Sequence, residues 1–120
     1  MKTVMTVDDS TTVRQVLKLA LKDNYEVVEA TSGRDALSKL DINQVDLLIT
    51  DLNMPNMDGI ELIKHVRKSP GRRFMPIIML TTETQSGKKH EGKAAGVSGW
   101  IAKPFKPEQL LAIVRMVCPY

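Results

Sequence analysis

Val45-Asp46-Leu47-Leu48-Ile49-Thr50-Asp51 is followed at once by Leu52-Asn53-Met54-Pro55-Asn56-Met57-Asp58-Gly59. Residues 45–50 form a nearly continuous apolar run, the pattern of a short strand buried on both faces. The run ends on a carboxylate, Asp51. Asn53, Pro55 and Asn56 then make a turn-rich stretch. Asp58, with Glu61 three residues later, caps a helix on which Ile60, Ile63 and Val66 share one face, with Leu62 alongside. Buried strand, acidic end, turn and amphipathic helix together make one β-α unit.

The same unit recurs in both directions. Residues 3–7 read as a strand ending in Asp8-Asp9, and Ser10 caps a helix carrying Val13, Val16, Leu17, Ala20 and Leu21 on one face. Residues 25–29 form a shorter strand. Ser32 followed by Asp35 resembles a capping box and opens a helix through Ala36, Leu37 and Leu40. Ser69-Pro70-Gly71 stops the helix that Asp58 began. A fourth strand, residues 77–80, ends at Thr81. Residues 85–96 are predicted to be helical but weakly so, since interior Gly87 and Gly92 each cost about 1 kcal/mol relative to Ala. A fifth strand, residues 99–102, leads to Lys103-Pro104, and Pro107 starts a last helix with Leu110, Leu111, Val114 and Val117. Five strands alternating with five helices predict an α/β fold: a doubly wound five-stranded parallel sheet, (βα)5, with helices on both faces and right-handed crossovers.

The 120 residues make one domain, large enough to fold without disulfide or structural metal. A composition of 42% hydrophobic and 26% charged residues excludes whole-chain disorder. Seventeen Lys and Arg against fourteen Asp and Glu leave +3, too little to argue for nucleic acid. The single cysteine, Cys118, excludes an internal disulfide and every Cys-based zinc motif. His65 and His90 lack metal-ligand spacing. No apolar run approaches the ~20 residues that span a bilayer, and Asp8-Asp9 interrupt any signal-peptide core. A cytoplasmic protein that binds neither membrane nor nucleic acid is expected.

In parallel α/β sheets the working site lies beyond the carboxyl ends of the strands. Those ends carry Asp8 and Asp9, Asp51, Thr81 and Lys103. Three carboxylates in one pocket repel unless a cation neutralises them, and a hard divalent ion with oxygen ligands fits best. Thr81 adds a hydroxyl and Lys103 a compact positive charge suited to a phosphoryl oxygen. The set reads as a phosphoryl-transfer site with a carboxylate nucleophile. No glycine-rich nucleotide loop of either common pattern is present, and neither histidine stands at a strand end.

Val7-Asp8-Asp9-Ser10, Thr50-Asp51-Leu52-Asn53-Met54-Pro55 with Asp58-Gly59, Leu80-Thr81 and Lys103-Pro104-Phe105 occur in order at successive strand ends. With them, the chain resembles the receiver domains of bacterial two-component signalling, and in particular the stand-alone chemotaxis regulators of the CheY type. The resemblance runs from Lys2 to about Val117. It implies a flavodoxin-like strand order 2-1-3-4-5 and a single receiver domain over residues 1–120 with no effector domain. It implies that Asp51 accepts a phosphoryl group from a histidine kinase. Asp9, Asp51 and the Asn53 carbonyl would bind Mg²⁺ (Mn²⁺ as a substitute), and Asp8 would act through a metal-bound water. Lys103 would pair with a phosphoryl oxygen, and the peptide before Pro104 would be cis. Thr81 would move to the phosphoryl group and Trp100 would change rotamer. Asn53 and Glu83 would flank the hydrolysing water and tune the lifetime of the aspartyl phosphate.

Two positions depart from the family pattern. Trp100 stands where Tyr or Phe is usual, so the ring needs more room. Thr82 stands where Ala or Gly is common. The expected protein is a monomeric signalling switch, not a metabolic enzyme; self-catalysed phosphoryl transfer and autodephosphorylation are its only chemistry. Its target would be a flagellar motor switch protein or another protein, with a phosphatase as a further partner. The rival readings are a phosphate sink or phosphorelay receiver and, from another class, an Asp-nucleophile phosphohydrolase.

Overall fold

A computed structural model describes residues 1–82 and 87–120. The elements alternate as expected: β1 Thr3–Val7, α1 Thr11–Leu21, β2 Glu26–Ala30, α2 Gly33–Leu40, β3 Leu47–Asp51, α3 Gly59–Lys68, β4 Ile77–Thr81, α4 Lys89–Ala95, β5 Gly99–Ala102 and α5 Pro107–Val117. All strand pairs are parallel, and the sheet order is β2-β1-β3-β4-β5. β1 and β3 are therefore neighbours, with Val7 opposite Thr50. The turns after them, which carry Asp8-Asp9 and Asp51, open side by side.

Strand alternation sorts the core into two layers. Met5, Val7, Leu48, Ile77 and Met79 pack with α2 and α3, while Val4, Leu47, Ile49, Ile78 and Leu80 pack with α1 and α5. Trp100 belongs to the first layer, beside Ala95 and Val97, and Ile101 to the second. α4 lies against α3, covering the same face as Trp100.

The helix starts follow their caps. Ser10, Ser32 and Asp58 each accept a hydrogen bond from the backbone three residues on, at Val13, Asp35 and Glu61. The Ser32–Asp35 pair is not a full capping box: the Asp35 carboxylate accepts from Thr31 N at 2.9 Å, one residue before the cap. Strand edges shift by a residue or two from expectation. Tyr25, read as the start of the second strand, instead closes the turn after α1 by donating its N–H to Leu21 O at 2.9 Å. Its hydroxyl reaches Cys118 O. Cys118 is buried at the end of α5, and burial pushes its thiol up, away from the reactive thiolate. Of the weak helix expected over residues 85–96, the described residues show a 3-10 turn at Gly87 and Lys88 leading into α4; residues 83–86, Glu83 included, lie outside them.

One cation ties α3 to α4. Arg67 donates to Gly96 O from Nε (3.2 Å) and Nη2 (2.7 Å), and from Nη1 to Arg72 O (2.9 Å) and Met75 O (2.6 Å). Gly96 ends α4 at φ 108°, and a Cβ there would lie 2.9 Å from Arg67 Nε. Glycine is required by both the left-handed backbone and the close approach. Arg67→Met removes every donor to three part-buried carbonyls. It should lower stability by about 1–3 kcal/mol, read as a lower urea midpoint; an unchanged midpoint would contradict the tie.

Candidate functional site

The ends of β1 and β3 converge. One carboxylate oxygen each from Asp8, Asp9 and Asp51 lie within 4.8 Å of one another. Asp8 and Asp51 are buried, at 1% and 6% exposure, whereas Asp9 is exposed. Lys103 enters from the far side of the sheet's end. Its Nζ lies 2.9 Å from Asp51 Oδ1 and 3.2 Å from Asp8 Oδ2. One ammonium thus serves two carboxylates.

Each member is held by local backbone logic. Asp8 turns back on its own chain: Oδ1 accepts from Ser10 N at 2.9 Å, the short-range turn that also places the Ser10 cap. Arg14, one turn into α1, donates to Asp8 O at 2.6 Å and pairs with Glu29 at 3.3 Å. Asp51 is the last residue of β3, opposite Leu80 of β4. Gly59 N donates to Leu52 O at 2.8 Å, folding the start of α3 against the strand end. A Cβ on Gly59 would lie 2.4 Å from Asp51 O and 3.1 Å from Leu52 Cα. Both are backbone atoms, so the glycine after Asp58 is obligatory for this approach. Lys103 N donates to Thr81 O at 2.6 Å, which sets the lysine beside the buried Thr81. The Lys103–Pro104 peptide is cis.

The electrostatics follow from one cation shared by several acids. Burial raises the Asp51 pKa above the ordinary carboxylate value; the hydrogen bond from Lys103 opposes this, and the Asp8 charge adds to the rise. Burial alone would lower Lys103, but bonding and charge from Asp51 and then Asp8 outweigh it and hold the ammonium above its usual value. The ammonium has two carboxylate partners, while Asp51 has a share of that ammonium, a backbone hydrogen bond from Leu52 and a repelling neighbour. The pocket is short of positive charge.

An oxygen-rich, cation-poor pocket fits a hard divalent ion that keeps some of its waters. The donor set has the right chemistry: two buried carboxylates and one exposed one, with oxygens close enough to share an ion. Asn53 is exposed on the turn just after Asp51. An open cleft of about 380 Å³ lies alongside, lined by Val13, Val16, Pro104 and Phe105 with Thr12, Thr82 and Lys103.

Thus Asp8, Asp9, Asp51 and Lys103 meet in one pocket, with Thr81 joined to Lys103 through the backbone. Trp100 lies two strand positions back from the Thr81–Ala102 pair, half-buried under α4. His65 and His90 are exposed on α3 and α4. Two residues escaped the sequence reading. Arg14 looks like part of an ordinary polar helix face, yet it braces the Asp8 carbonyl. Gly92 looks like a flaw in a helix, yet an ideal Cβ there would lie 2.3 Å from the Trp100 ring.

Because the folded protein holds the proton on Asp51 more tightly than the unfolded chain does, ionised Asp51 opposes folding. That penalty is full above the raised pKa and vanishes below the ordinary carboxylate range. Asp51→Asn should therefore raise the Tm of metal-free protein at neutral pH, and the gain should disappear in acid. A Tm lowered at neutral pH would contradict a charge-short pocket. Gly59→Ala should cost about 1–3 kcal/mol or more through overpacking against backbone, read in the same melts.

Comparison with known proteins gives the family. The family model described as response regulator receiver domain matches residues 4–115. The chemotaxis protein CheY1 of Helicobacter pylori is 44% identical over 117 residues, covering 95% of this chain and 94% of the relative. A chemotaxis protein CheY homolog of Campylobacter jejuni is 43% identical over 110 residues, covering 89% and 85%. The solved structure of Vibrio cholerae chemotaxis protein CheY4 is similar at a TM-score of 0.93 and 48% identity, over 98% of each chain. With its acidic strand ends, shared lysine and β2-β1-β3-β4-β5 sheet, the chain belongs to the response regulator receiver family and is a CheY-like member of it.

Proposed function

We propose that the chain is a phosphorylation-controlled binding switch in which Asp51 is the phosphoryl acceptor. The observation that carries this reading is the Lys103 ammonium held 2.9 Å from Asp51 and 3.2 Å from Asp8, in a pocket that remains short of positive charge. The phosphodonor is a phosphohistidine on a histidine kinase. An Asp51 carboxylate oxygen attacks phosphorus, the P–N bond of the donor breaks, and the freed imidazole takes its proton from solvent. The donor approaches along the apolar cleft beside Pro104 and Phe105, which leads to Lys103.

Asp8, Asp9 and Asp51, with the Asn53 carbonyl, would hold Mg²⁺ or Mn²⁺; the ion supplies charge neutralisation to the phosphoryl oxygens. Asp51 presents its oxygen at the end of a fully buried strand, so its position is set by the sheet. Lys103 keeps its charge, because two carboxylates favour the ammonium, and it exchanges its contact with Asp51 for one to a phosphoryl oxygen. Thr81, tied to Lys103 through the backbone, offers its hydroxyl to the same group. A phosphoryl group carries up to about −2, enough to draw both residues. Movement of Thr81 opens space next to β5, and Trp100 responds. Asn53 and Glu83 tune hydrolysis of the aspartyl phosphate.

The output is altered protein binding by the face of α4, β5 and α5. The target is a flagellar motor switch protein; a phosphate sink would use the same site with no such target. Comparison of proteins captured by phosphorylated and unphosphorylated chain separates the two.

Incubation with a small phosphodonor should add one phosphoryl group with Mg²⁺ and none with chelator, as read by intact mass. Asp51→Asn should abolish the addition, and Lys103→Met should allow addition while blunting the change in Trp100 emission. Phosphorylation of Asp51→Asn at the wild-type rate would overturn the assignment, and steady hydrolysis of generic phosphate esters would favour the phosphohydrolase.

A further inference from the structure

Gly92 stands in the middle of α4, where alanine would be the better helix former. It is buried, although Glu91, Lys93 and Ala94 around it are exposed. An ideal Cβ at this position would lie 2.3 Å from Cη2 of Trp100, and 3.1 and 3.2 Å from Cζ2 and Cζ3. Those atoms form the outer edge of the indole. The ring is stiff, with two side-chain torsions, and it packs against the α2–α3 core layer. A methyl group at 92 and the ring in its present place exclude each other.

The helix has little freedom to yield. Four residues further on, Gly96 O is held by two Arg67 donors, and Gly96 N and Val97 N both return to Gly92 O at 3.1 Å. The end of α4 is anchored to α3 immediately beyond the ring. Lifting the helix at 92 strains those bonds, whereas turning the indole does not. Gly87, the other helix-weakening glycine, is different: a Cβ there meets nothing within 4 Å.

We infer that Gly92 is a positioning residue for Trp100. It supplies the slot that lets the indole lie beneath α4, so ring orientation and helix placement form one coupled unit. The two residues are a size-matched pair: the large ring at the switch position is accommodated by the absent side chain on the helix above it. Its consequence for signalling rests on the receiver reading given above; the packing itself does not.

The test compares Gly92→Ala, Gly87→Ala, Trp100→Phe and the Gly92→Ala/Trp100→Phe double variant, without phosphodonor. Gly92→Ala should shift the emission of the single tryptophan to the red, increase its quenching by acrylamide and lower the urea midpoint. In the Trp100→Phe background, where the outer ring atoms are gone, the same change should raise the midpoint through helix propensity. Gly87→Ala should leave Trp100 emission unaltered. A midpoint that moves in the same direction in both backgrounds, or unchanged quenching in Gly92→Ala, overturns the slot. A second arm adds Mg²⁺ and beryllofluoride as a phosphoryl mimic. The emission change of the wild type should be diminished in Gly92→Ala, because the ring has already left its place. An undiminished change overturns the coupling. A wild type that does not respond at all overturns the switch role of Trp100, while the quenching and midpoint comparison still decides the slot.

Discussion

Lys103 sits between Asp8 and Asp51, and the architecture around the site serves that contact. Burial, with the Asp8 charge beside it, leaves Asp51 with a raised pKa that the Lys103 hydrogen bond does not cancel, while the two carboxylates hold Lys103 charged. The imbalance is useful. A pocket fully neutralised by its own side chains would gain little from a cation or a phosphoryl group. This one sets three carboxylates against one ammonium and is short of positive charge.

The sheet makes the imbalance tolerable. Asp51 closes a strand with no exposed residue, paired on both sides, and cannot withdraw. Gly59 lets α3 begin directly against the Asp51 carbonyl, and Arg14 braces the Asp8 carbonyl from α1. A backbone bond from Lys103 N to Thr81 O ties the lysine to the end of β4. The face bearing Trp100 and α4 lies next to these groups and not among them.

Much of this was legible in the sequence because its causes are local. Strand ends announce themselves where apolar runs stop on Asp or Thr, and Ser10, Ser32, Asp58 and Pro107 mark helix starts by chemistry that acts within four residues. The strand ends then place the acidic cluster, since parallel β-α units put them on one edge. What could not be read has long-range causes. Tyr25 looks like a strand residue, but its hydroxyl is bound 93 residues away, at Cys118. Arg14 and Arg67 look like solvent-facing charges, yet both are spent on backbone carbonyls of other elements. Propensity assigned Gly92 only a cost; its reason is a ring eight residues later that folds back beneath it.

The most direct measurement is calorimetric titration of Mg²⁺ into metal-free protein at neutral pH, repeated with Asp51→Asn and with Asp9→Asn. The account predicts one ion per chain, binding that weakens as pH falls because the ion needs ionised Asp51, and loss of affinity in both variants. Binding of equal strength in wild type and both variants, or no binding at all, would contradict a pocket built to be short of positive charge.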